Sequence, residues 1–150
     1  MNWQLKTFNE LTPQQIHAIY KARTNVFVVE QHCPYPEVDD WDLTAFHLFL
    51  ENSGAVIAYC RLIETADEVK LGRVLVVQSY RQNGLGRDLV TKALEVSAQL
   101  FPQKNIYAQV QAYLKNFYAS FGFEATSAEY TEDGIPHLDM IQGETGRLML

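Results

Sequence analysis

The stretch from Val74 to Leu94, VLVVQSYRQNGLGRDLVTKAL, constrains the fold of this chain more than any other. Val74, Leu75, Val76 and Val77 form a short, largely β-branched run, the pattern of a strand buried on both faces. A polar turn follows, Arg81-Gln82-Asn83-Gly84-Leu85-Gly86. Beyond it Leu85, Leu89, Ala93 and Val96 share one stripe, with Val90, Leu94 and Ser97 beside it, which is helical spacing. Strand, glycine loop and helix N-terminus in this order make an anion site. The first N–H groups of the helix lack internal partners, and the helix dipole leaves positive charge there. Glycines in the turn let backbone approach a phosphate closely, and Arg81 and Arg87 flank it with charge-assisted donors. A plain connection with turn glycines and no ligand is the alternative reading of the loop alone.

The loop is not a dinucleotide fingerprint, because the third glycine position of G-x-G-x-x-G/A is Leu89. It is not a P-loop either, since no Gly-Lys-Ser/Thr closes it. Arg-x-x-Gly-x-Gly between a strand and a long helix resembles the acetyl-CoA pyrophosphate loop of the GNAT N-acetyltransferases. A second motif supports the resemblance. In that superfamily a short helix carries a Tyr four residues before Gly-Phe, and FYASFGF sets Tyr118 four before Gly122. The Asn that precedes the Tyr by seven residues is replaced by Gln111, which leaves open whether this side chain keeps the cofactor contact. RTNVFVVEQHCPYPEVDDWD and EDGIPHLDM resemble the ElaA-like subgroup, for which no acceptor is implied.

At 150 residues, 47% apolar and 20% charged, the chain reads as one domain, residues 1–150, able to bury its own core. It shows no apolar run of membrane-spanning length and no apolar signal segment at the start. With only Cys33 and Cys60, a reduced cytoplasmic protein without structural disulfides is expected. A net charge of -6 argues against nucleic acid as a general partner. The charge is segregated. Between Thr24 and Cys60 there is no Lys or Arg, but Glu30, Glu37, Asp39, Asp40, Asp42 and Glu51 are present. From Arg61 to Lys115 eight basic residues face five acids. One part suits a polyanion and the other a cation, which fits a phosphate-bearing donor and an amine acceptor.

The remaining pattern places these motifs on a mixed sheet. Trp3 to Phe8 alternates as a strand. Thr12-Pro13-Gln14-Gln15 starts a helix with a capping box, whose stripe runs Ile16, Ile19, Tyr20, Arg23, Phe27. Arg23 is expected to snorkel at the rim of that stripe. VVEQHCPYPEVDDWD reads as an acceptor-binding loop with at most a short helical turn. His32, Cys33 and Asp39 match no established metal-ligand spacing, so no metal is expected. Phe46–Glu51, Ala55–Ile63 and Val69–Val77 read as three consecutive antiparallel strands. A helix follows to about Leu100, then a strand over Ile106–Val110. A helical stripe of Leu114, Phe117, Tyr118 and Phe121 is closed by Gly122, and a last hairpin turns at Glu132-Asp133-Gly134.

The resemblance implies an α/β (α+β) GNAT fold: a mostly antiparallel sheet of about seven strands, helices on both faces, and fourth and fifth strands splayed around the cofactor. It assigns Leu75, Val76 and Val77 to the cofactor arm and Arg81, Gln82, Asn83, Gly84, Leu85, Gly86 and Arg87 to the pyrophosphate. Gln111 and Asn116 join this cofactor set. It implies Tyr118 as the proton donor to the leaving thiolate and the Val77 N–H as oxyanion donor. Glu30, Asp39, Asp42, His47 and His137 are the acceptor-side candidates, with the general base open among Glu30, His47 and His137. Two functions follow: N-acetyl transfer from acetyl-CoA to a primary amine of a small molecule or peptide, or a non-catalytic acyl-CoA-binding module. A homodimer is common among similar proteins.

Overall fold

Turn residues close a succession of hairpins into one twisted sheet. The computed structural model describes residues 1–143. Strands β1 (Asn2–Thr7), β2 (Phe46–Asn52), β3 (Ala55–Glu64) and β4 (Glu68–Val76) pair antiparallel in that order. Strand β5 (Asn105–Gln111) runs parallel to β4. The short strands β6 (Glu124–Ala125) and β7 (Tyr130–Glu132) both pair with β8 (Ile135–Gln142), which lies antiparallel to β5. Eight strands are therefore formed among the described residues, against the expected seven or so, because the segment after Phe123 divides into β6 and β7.

Helices cover both faces. Helix α1 (Pro13–Arg23) starts on the expected capping box: Thr12 Oγ1 accepts from Gln15 N, and Gln15 Oε1 accepts from Thr12 N. Its Ile19 and Ala22 pack with Phe49, Tyr59 and Leu75. Past Arg23 the chain widens into a π-helical stretch, Thr24–Glu30, in place of continued α-helix. Helix α2 (Leu85–Leu100) buries Leu89, Val90, Ala93 and Leu94 on the opposite face, against Leu48, Ala58, Cys60, Leu62, Ile106 and Ala108. The second motif forms a 3₁₀ turn at Ala112–Leu114 and a five-residue helix α3 (Lys115–Ala119). It ends at Gly122, φ +89°, with Phe123 N donating back to Tyr118 O. No helix among the described residues is long and apolar enough to cross a membrane.

The functional consequence of this topology lies between β4 and β5. They pair only from Glu68–Asn105 to Leu71–Ala108. Beyond that, β4 stays with β3 and β5 stays with β8, so the two strands diverge. A bulge in β4 accompanies the divergence: its register with β3 shifts between Tyr59 and Arg61, and Arg73 takes φ +52°. The run Val74–Val77 is consequently not buried on both faces. Leu75 is buried, whereas Val74, Val76 and Val77 are only partly so.

Candidate active site

The diverging strands open into a cavity of about 880 Å³ lined from both faces of the sheet. On the α2 face it meets Gly86, Phe117 and Tyr118. On the α1 face it meets Lys70, Tyr107 and His137. The odd-numbered residues of β5 and β8 make that second face, since Ile106, Ala108, Val110, Leu138 and Met140 pack toward α2.

The backbone of β4 supplies its hydrogen-bonding edge. Val77 N donates to Ile57 O at 2.9 Å, so the Val77 N–H is already spent on β3 and cannot serve an oxyanion in the cleft. Val76 stands opposite Ala58, one position out of phase. Strand alternation therefore turns the N–H and C=O of Val76 away from β3, into the gap. Arg81 marks that direction: its Nε donates to Val76 O at 2.8 Å, and its guanidinium pairs with Glu30 at 2.9 Å. Glu30 and Arg81 thus lie across the cleft mouth.

The glycine loop begins the helix as its spacing suggests. Gly84 is the N-cap of α2 with φ +75°, a conformation that admits glycine without strain. Asp88 N is the first donor to return to it, at 3.2 Å, which leaves the N–H groups of Leu85, Gly86 and Arg87 without helical partners. Gln82, Asn83 and Gly84 are exposed. Arg87 lies over the Phe121 ring at 4.4 Å and donates to Ser120 Oγ at 3.0 Å. Asn116 is exposed on α3, outside the cavity lining, while Gln111 lines the cavity at the end of β5, opposite His137.

Tyr118 is 6% exposed and borders the cavity, and its hydroxyl has no hydrogen-bond partner among the described residues. Burial, with the neighbouring Cys60 thiol as a smaller contribution, raises its pKa and keeps the phenol protonated. His137 Nδ1 lies 2.8 Å from Ile135 O. A carbonyl only accepts, so in the neutral ring Nδ1 is the nitrogen that carries the proton and Nε2 the one with the lone pair.

The acidic loop is organised differently from its sequence-based reading. Arg23, expected at the rim, is 0% exposed. It donates to Glu37 Oε2 at 2.8 Å and to Asp42 Oδ1 at 2.6 Å. Arg61 holds Asp39 at 2.7 Å and Asp42 at 3.0 Å, and Arg73 donates to Glu37 O at 3.1 Å. Asp39 and Asp42 face these cations and do not line the cavity. Burial raises both carboxyls, but the Arg61 and Arg23 hydrogen bonds and charges outweigh it and leave them below their usual range. His47 is also outside the lining, sealed between Tyr59 Oη at 2.7 Å and Asp42 O at 2.9 Å. The missed signal was distance in sequence: each arginine meets acids 14 or more residues away.

Comparison with known proteins agrees with this geometry. Residues 8–142 match the acetyltransferase (GNAT) domain. A UPF0039 protein of Schizosaccharomyces pombe is 49% identical over 138 residues, 90% of this chain and 92% of the relative. Protein ElaA of Escherichia coli is 39% identical over 145 residues, 93% of this chain and 95% of the relative. The crystal structure of Escherichia coli ElaA superposes with a TM-score of 0.92 at 38% identity, covering 95% of this chain and 99% of that one. An acyl-CoA N-acyltransferase from Pseudomonas aeruginosa gives 0.92 at 37%, with the same coverage. The split sheet, the glycine-capped helix and these similarities together make the chain an ElaA-like member of the GNAT acyltransferase family.

Proposed function

We propose that the chain transfers the acetyl group of acetyl-CoA to a primary amine by direct attack within a ternary complex. The observation that carries this reading is the unpaired edge of β4. Val76 turns one N–H and one C=O, the latter held by Arg81 in the free protein, into a gap whose α2 face carries both the α2 N-terminus and Tyr118. An amide-bearing pantetheine arm pairs with such an edge as an added strand would. Its pyrophosphate then reaches the free N–H groups from Gln82 to Arg87, with Arg81 and Arg87 as charge partners. Leu75 backs this stretch from the buried side, and Gln111 flanks the wide end of the gap.

The cavity's two faces divide the chemistry. A cofactor entering from the α2 side brings its thioester into the gap, and an amine entering from the α1 side meets it there. The amine must lose a proton to attack, and His137 Nε2 is the base we assign, since His47 is sealed and Glu30 is paired with Arg81. The carbonyl oxygen becomes an oxyanion, for which Val76 N–H replaces Val77 N–H as donor. Collapse expels the CoA thiolate, and the Tyr118 hydroxyl protonates it.

Two measurements test this. Acetyl-CoA should raise the melting temperature, and Gly84→Val should abolish that rise by blocking backbone approach to the phosphates. Thiol release from acetyl-CoA should appear with some member of a primary-amine panel. A melting shift without thiol release across the panel would favour the alternative, a non-catalytic acyl-CoA-binding module.

A further inference from the structure

We infer that the acceptor carries an anionic group, a carboxylate in the simplest case, and that Lys70 reads it. This rests on the ternary-complex reading above and specifies the acceptor side of the same cavity.

The inference starts from the charges that line the α1 face. Arg61 and Arg73 both border the cavity, but Asp39, Asp42 and Glu37 already neutralise them. Lys70 borders it too, half-buried on β4, and no carboxylate pairs with it among the described residues. Its ammonium lies 5.9 Å from the centroid of the Tyr107 ring, its register partner on β5. Asp139, the acid of β8, accepts from both Tyr107 Oη, at 2.7 Å, and Tyr130 Oη, and it does not line the cavity. The acids that do line it are Glu30, tied to Arg81, and Glu132 and Asp133, exposed on the β7–β8 turn. The lining of this face therefore presents one cation without a carboxylate partner among the described residues, beside a phenol ring, with Tyr35 and Trp41 also lining the cavity.

A partly buried ammonium without a counter-ion favours an anion in the ligand and disfavours a second cation. A polyamine, or an amine whose only charge is its own ammonium, leaves Lys70 unmatched. An amine that also bears a carboxylate places that group at Lys70, where β4 and β5 begin to part, and its amine toward the gap. This reverses the expectation drawn from the acidic loop, whose carboxylates are turned inward to arginines.

The test uses matched amine pairs, α-amino acids with aromatic or aliphatic side chains against their C-terminal amides, titrated calorimetrically into the protein saturated with CoA. This dead-end complex reads binding without turnover. At least one acid should bind about tenfold or more tightly than its amide. Lys70→Arg should keep the preference, Lys70→Gln should erase it, and Lys70→Glu should reverse it. Equal affinity within every pair, a preference untouched by Lys70→Gln, or no binding by either member at millimolar concentration would each overturn the inference. Carboxylate-selective binding with no thiol release from acetyl-CoA would uphold it while refuting acetyl transfer.

Discussion

Arg81 Nε donates to the carbonyl oxygen of Val76 at 2.8 Å, and the same guanidinium is held by Glu30 at 2.9 Å. In the cofactor mode proposed above, Val76 O accepts from the cofactor arm, and in the free protein Arg81 stands in that place. On that proposal, binding would exchange Arg81 from Val76 and Glu30 to the incoming pyrophosphate.

Glu30→Gln should consequently tighten acetyl-CoA binding. The pair is partly exposed, with Arg81 at 40% and Glu30 at 30%, and such pairs contribute about 0.2–1 kcal/mol. Releasing it corresponds to a gain of no more than about fivefold, shrinking as salt is added. Calorimetric titration at low and high salt measures both effects. Unchanged or weaker binding at low salt would mean that the Glu30 contact does not compete with the cofactor.

The internal ion-pair network predicts a stability effect where the loop's charge alone suggested a substrate effect. Asp42 is almost fully buried between Arg23 and Arg61, so Asp42→Asn leaves a buried guanidinium short of its counter-charge. Breaking one partner of a buried pair costs about 3–5 kcal/mol. Denaturant unfolding should show a loss of that order. Asp40→Asn, at an exposed acid, should change stability by less than about 0.5 kcal/mol.

How much of this was legible in the sequence follows from the range of each interaction. The Thr12–Gln15 cap, the glycine-capped α2 and the Tyr118–Gly122 helix end are made by residues within five positions of one another, and their spacing gives them away. The buried role of Arg23 depends on acids 14 and 19 residues downstream, which the helical stripe cannot reveal. Which N–H of β4 faces the cleft depends on the register to β3 beyond the Arg73 bulge, so Val77 and Val76 cannot be told apart by pattern. Lys70 stands out only once the other cations on its face have found partners.

His47 should make the fold sensitive to mild acid. Its Nε2 lies 2.9 Å from Asp42 O, which can only accept, so Nε2 carries a proton; Arg23 already donates to Tyr59 Oη at 3.5 Å, which leaves that hydroxyl to donate to Nδ1 of a neutral ring. Burial is the largest influence and lowers its pKa below the usual histidine value. Once the pH drops below the unfolded pKa of about 6.5, the unfolded chain takes up a proton that the folded one refuses. Stability therefore falls with decreasing pH from about 6.5 until the folded pKa is passed. Denaturant midpoints between pH 7.5 and 5 should show this slope, and His47→Gln should flatten it. A midpoint that is constant across that window would mean that the folded protein accommodates the imidazolium.

Tyr118 and His137 stand on opposite faces of the same gap, and their variants should fail in different ways. The Tyr118 hydroxyl has no partner among the described residues, so Tyr118→Phe removes no structural hydrogen bond and keeps the ring against Phe117 and Phe123, at centroid distances of 5.3 and 5.6 Å. Melting temperature and acetyl-CoA affinity should stay near those of the parent. Turnover should drop by about 10²–10⁴-fold if the phenol delivers the proton to the departing thiolate. A fall that is smaller for an acyl donor with a more acidic thiol would locate the defect at leaving-group departure, because such a thiolate needs less help. His137→Gln instead removes the base proposed for the acceptor side. Its rate should recover as the pH is raised and more amine is already neutral, and it should be indifferent to the thiol. If both variants respond alike to amine and thiol acidity, the two residues do not divide the proton transfers, and Tyr118 would then have to be removed from thiolate protonation in favour of water.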